Sequence, residues 1–151
     1  MAESRSKRMQ VVLTLTERSE QEAGEKLSKF TAQVDAETEQ LRQLDEYADQ
    51  YLHVYSSRKV AVKPQELIAY SGFIQRLAEA RKEQQARLER MQLQLERYRQ
   101  EWRIAHQKTE SIKELIVRLQ HEENVLVDKK LQKELDELVG QAYSRRENND
   151  Q

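Results

Sequence analysis

A single proline punctuates this chain, and its position decides what the rest can become. Pro64 closes the stretch Ser56-Ser57-Arg58-Lys59-Val60-Ala61-Val62-Lys63-Pro64, and long heptad-patterned segments lie on both sides of it. Proline lacks an N–H and fixes φ, so it suits the first turn of a helix and disrupts an interior. Glu66 then adds a carboxylate where the helix dipole favours one. The stretch reads as a turn between two helices, the second starting at about Pro64. Three glycines are the only other strong breakers, while 35% of residues are charged and 6% aromatic. Such a composition favours long helices that bury a stripe over a globule with a three-dimensional core.

The stripes are explicit. The first runs Met9, Leu13, Thr16, Glu20, Ala23, Leu27, Phe30, Val34, Glu37, Leu41, Leu44, Ala48, Tyr51, Tyr55, in alternating steps of four and three. That is the coiled-coil period. The second runs Leu67, Tyr70, Ile74, Leu77, Arg81, Gln84, Leu88, Met91, Leu95, Tyr98, Trp102, Ala105, Thr109, Ile112, Ile116, Leu119. Its phase then slips through residues 121–126, and Val127, Leu131, Leu135, Leu138 and Ala142 continue it. The fold class is therefore all-α: two long helices forming an antiparallel coiled-coil hairpin, the second longer than the first. The expected bounds are helix 1 at about 4–56, a turn at 57–63, helix 2 at about 64–140 ending at Gly140, and a disordered tail at 144–151, all in one domain spanning 1–151. Folding back at the turn places Leu44 near Leu77, Phe30 near Leu88 or Met91, and Leu13 near Ala105 or Thr109.

Charge supports the fold-back. Residues 17–49 carry ten acidic and four basic side chains, and residues 76–108 carry nine basic and five acidic. Opposite signs favour antiparallel pairing of these segments over parallel self-association. Little else in the sequence points to chemistry. There is no cysteine, no phosphate-binding loop and no nucleophile elbow. His53, His106 and His121 are far apart and lack ligand partners at helical spacing, so no metal and no cofactor is expected. Carboxylate pairs such as Glu122/Glu123 sit on helix faces with no cleft to desolvate them, so no enzyme is expected. Tyr98 and Trp102 alternate with arginines but fall on the stripe, and the sequence pI is about 6.4, so neither nucleic acid nor a small-molecule substrate is expected. No apolar run reaches the length of a membrane span, and a cytosolic location follows as an expectation.

Two surfaces stand out. Gln40, Tyr47, Phe73 and Ala80 flank stripe positions at matched levels near the turn and form a candidate docking patch. Beyond about Ser111, helix 2 is expected to outrun its partner while still carrying Leu115, Ile116, Val117, Leu119, Val125, Leu126 and Val127. An unpaired apolar stripe of this kind marks a binding surface.

The pattern Gln40-Leu41-x-x-Leu44-x-x-Tyr47-x-x-x-Tyr51, followed after the turn by Tyr70-x-x-Phe73-Ile74-x-x-Leu77-x-x-Ala80, with Trp102 mid-helix and Asp136-Glu137-Leu138 near the end, resembles the flagellar export protein FliJ family over roughly residues 9–143. The resemblance implies a hairpin similar to the central stalk of rotary ATPases, working in flagellum biogenesis and motility. Its implied partners are the flagellar export ATPase, the cytoplasmic domain of the export gate's membrane subunit, and export chaperones. Carried over by position, gate contact falls on Gln40, Leu44, Tyr47, Tyr51, Phe73, Leu77 and Ala80. Gln84 stands where a family member has histidine. ATPase contact is placed by region at 13–27 and 110–135, represented by Leu13, Leu27, Ile112, Ile116 and Leu119. The implied location is cytoplasmic, peripheral to the inner membrane at the flagellar base. Two other readings share the architecture: a generic coiled-coil scaffold, and the stalk protein of a virulence type III secretion system.

Overall fold

A computed structural model describes residues 3–57 and 63–150, which form two helices and no strand. α1 is Arg5–Ser57 and α2 is Pro64–Asn149. The expected turn falls mostly on residues 58–62, outside the described residues. Pro64 opens α2 as its missing N–H allows, with Glu66 in the first turn. The N–H of Leu67 donates to the Lys63 carbonyl at 3.1 Å. At the start of α1, the Ser4 hydroxyl accepts the Lys7 N–H at 3.4 Å, as a serine N-cap does.

Helix α2 runs past its expected end. Gly140 stops a helix when it takes a left-handed conformation, but no glycine here has positive φ. Gln141, Ala142, Arg145, Arg146 and Glu147 all favour helix, and the segment expected to be a disordered tail is helical to Asn149.

Packing divides into two compact units, one of residues 20–104 and one of residues 1–19 with 105–151. In the first, contacts climb one helix as they descend the other: Tyr55 meets Tyr70, Glu37 meets Gln84, Phe30 meets Tyr98, and Gly24 meets Trp102. The helices are therefore antiparallel. Val34, Leu88 and Leu95 form the buried centre, with Leu27, Phe30, Leu41 and Met91 packed against it. Phe30 packs against the centre that contains Leu88, as expected, and its ring also lies 5.1 Å edge-to-face from that of Tyr98. Hydrophobic period fixes which face is buried but leaves the axial offset open. That offset is set by the side chains that interlock, here an aromatic pair.

Every residue of the first stripe is buried or half-buried, and so is every residue of the second up to Leu119 except Arg81. Arg81 turns outward and places Nε 2.5 Å from Asp45 Oδ1, since a guanidinium gains more at the rim than between leucines. Glu37 stays in the stripe at 16% exposure, held by Gln84 and, at 3.2 Å, by Arg87.

In the second unit, Thr109 is fully buried, and Ser6, Thr16, Ile116 and Leu119 are buried. Helix α1 has no acidic residue in its own first turn. Glu123 of α2 supplies one: its carboxylate accepts the Ser6 N–H at 3.1 Å and the Ser6 hydroxyl at 2.7 Å. Pairing thus continues to Glu123 and does not end near Ser111 as expected.

Candidate protein-docking surfaces

Five aromatic side chains, more than half of the chain's total, gather in the residue 20–104 unit. Their ring centroids are 5.6 Å apart for Tyr55 and Tyr70, 5.9 Å for Tyr51 and Tyr70, 4.4 Å for Tyr51 and Phe73, 6.3 Å for Tyr47 and Phe73, and 5.1 Å for Tyr47 and Tyr51. The sequence places them at three- and four-residue steps on facing helices, so the rings interleave into one ladder. A hydrogen bond with Tyr47, then its charge, then burial raise the pKa of the Tyr51 phenol. Tyr47 is 45% exposed and forms the outer wall of the ladder.

The residues placed in gate contact by resemblance are divided by this geometry. Gln40, Tyr47 and Ala80 are exposed, whereas Leu44, Tyr51, Phe73 and Leu77 are half-buried. Phe73 was expected off the stripe. It is instead packed on Tyr51, because a phenylalanine one residue from a stripe position still reaches inward when the opposite residue is aromatic. Leu44 and Ala80 line a shallow groove with Ala86, Arg87 and Arg90, and Gln84 lines it too. Tyr55 and Tyr70 complete the ladder. The sequence reading treated them only as stripe residues, although five rings within residues 47–73 were the available signal.

The residues representing ATPase contact are not open surface. Ile116 and Leu119 are buried, and Leu13, Leu27 and Ile112 are half-buried. A closely spaced run of exposed apolar side chains lies later on α2. Leu126, Val127, Leu131, Leu135, Leu138, Val139 and Tyr143 are all more than half exposed. Among the described residues no group of three or more His, Asp or Glu side chains could hold a metal ion, and no helix is long and apolar enough to cross a membrane.

A paired-helix core with an aromatic ladder and a long exposed apolar segment defines an all-α helical-hairpin protein. Residues 5–148 match the family model described as Flagellar FliJ protein, so the chain belongs to that family of flagellar export proteins. No match was found among curated proteins or solved structures.

Proposed function

We propose that the chain is a non-enzymatic stalk and adaptor of the bacterial flagellar type III export apparatus, linking the export ATPase to the export gate and escorting export chaperones. It acts by binding, with no chemistry of its own, in the cytoplasm at the inner-membrane face of the flagellar base. The observation that carries this reading is the family match over residues 5–148, joined to two exposed surfaces in different units. The aromatic ladder with Gln40 and Ala80 is the face offered to the gate. The segment of α2 after Glu123 is the face offered to the ATPase, in place of the packed Ile112, Ile116 and Leu119.

The test uses purified chain, export ATPase and gate cytoplasmic domain. Tyr47→Ala removes an exposed aromatic at the ladder wall, where docking residues contribute about 2 kcal/mol or more. Gate affinity should fall roughly thirtyfold, with stimulation of ATP hydrolysis unchanged. A chain ending at Glu123 should show the reverse. Unaltered gate binding in the first variant, or full stimulation by the second, would refute the assignment of that face.

A further inference from the structure

Helix α1 is fastened unevenly along its length. In the residue 20–104 unit it contributes Val34 to the buried centre, with Leu27, Phe30 and Leu41 packed beside it. In the other unit the residues that α1 buries are polar, Ser6 and Thr16, while Met9, Val12 and Leu13 stay half-buried. Between Leu13 and Leu27 the stripe of α1 holds only Thr16, Glu20 and Ala23, and between Trp102 and Ile112 that of α2 holds only Ala105 and Thr109. Both gaps span the positions at which the two units divide. Local opening costs least where few apolar contacts are buried.

The polar groups at this end are also arranged to part. The Thr16 hydroxyl donates to the Leu13 carbonyl at 2.9 Å, and the Thr109 hydroxyl donates to the Ala105 carbonyl at 3.0 Å. Each bond lies within its own helix, so neither is lost when the helices separate. The bonds from Ser6 to Glu123 do cross between the helices, and they sit at the far end, where they act as a catch. Val11, Val12, Thr14 and Thr16 are β-branched and lower the helix propensity of the segment. Once detached, it is close to the limit of about 12–15 residues below which a lone helix is marginal in water. We propose that residues 5–19 are a releasable strap over the α2 stripe from Thr109 to Leu119, unfolding locally while residues 20–104 stay paired. Closed, the strap withholds Ile112, Ile116 and Leu119, and the affinity of anything that binds them falls with the fraction of chains that are closed. This goes beyond the adaptor reading and does not rest on it.

The full chain alone tests this. It has no cysteine, so a single introduced thiol reports on one site. Thr109 is 0% exposed and Val34 6%, so burial alone makes a thiol at 109 the slower to react. A releasable strap reverses the order. Thr109→Cys should be labelled about a hundredfold faster than Val34→Cys. Its rate should also climb less steeply with urea, because the opening exposes less surface. Glu123→Ala removes the catch and should speed labelling of Thr109→Cys about tenfold, with Val34→Cys unchanged. Hydrogen exchange on the unsubstituted chain reads the same opening without a thiol. Amides of residues 9–16 should share one opening that is less sensitive to denaturant than that of residues 30–41. Labelling at 109 no faster than at 34, or equal denaturant dependence of the two groups of amides, would overturn the strap. So would a Glu123→Ala variant that leaves labelling at 109 unchanged or speeds both sites equally.

Discussion

Gly24 sits under the indole of Trp102, and a methyl group there would meet Trp102 Cδ1 at 3.5 Å, an ordinary contact. Glycine in a helix interior costs roughly 1 kcal/mol against alanine, so Gly24→Ala should raise stability by about that amount in a denaturant titration. Gly72 faces open space and should respond alike. Glu123 makes a different prediction. Hydrogen bonds from the Ser6 hydroxyl and then the Ser6 N–H lower its pKa below the ordinary 4.5. A depressed folded value means that the ionised carboxylate stabilises the fold above the unfolded-state pKa. That contribution is lost as pH falls through the folded value. Glu123→Gln should therefore flatten the acid limb of the stability profile and leave the slope near neutrality unchanged. At this scale the sequence was only partly readable. The heptad named every buried residue of α1's stripe, but it could not say that Glu123 would cap another helix. A carboxylate on a helix face looks the same whether or not a distant N-terminus ends beside it.

For the elements, the existence and type of both helices followed from period and from the scarcity of breakers. Their ends did not. Gly140 carries a stop signal only through its backbone angle, and the surrounding helix formers override it. The extent of pairing was misjudged because a heptad stripe marks which side chains can pair and does not say how far along α2 the start of α1 reaches, which here is Glu123. Two truncations separate the cases. A chain ending at Lys108 loses Thr109, Ile116 and Leu119, the buried residues that cover the start of α1. Burying an isoleucine or leucine is worth roughly 1.5–3 kcal/mol, so this truncation should lower thermal stability and fray α1 over residues 5–19. A chain ending at Asn124 keeps those contacts and should melt close to the full-length protein. Equal melting of both chains would show that residues 109–119 do not support α1.

For the molecule as a whole, the hairpin and its antiparallel sense were legible in the opposite charges of residues 17–49 and 76–108. In the structure, specific pairing between the helices of the residue 20–104 unit includes Arg81–Asp45 and Arg87–Glu37, both with the arginine exposed. The charge imbalance thus acts mainly as a diffuse bias on orientation, while the apolar stripe carries the energy. Orientation is checked by cysteines at 30 and 98, which replace the Phe30–Tyr98 ring pair. Oxidised at low concentration, this double variant should close within one chain, and a product formed only between chains would contradict the hairpin. Among the described residues, the Glu123 carboxylate is the last group of α2 hydrogen-bonded to α1, and it also divides the chain in time. Amides on its N-terminal side exchange with solvent only when two helices separate, whereas those beyond it need only a local helix opening. Hydrogen exchange should therefore step up sharply within about one turn after Glu123. Trypsin should remove the same segment first, at Lys129, Lys130 or Lys133, and leave behind a paired, protease-resistant remainder.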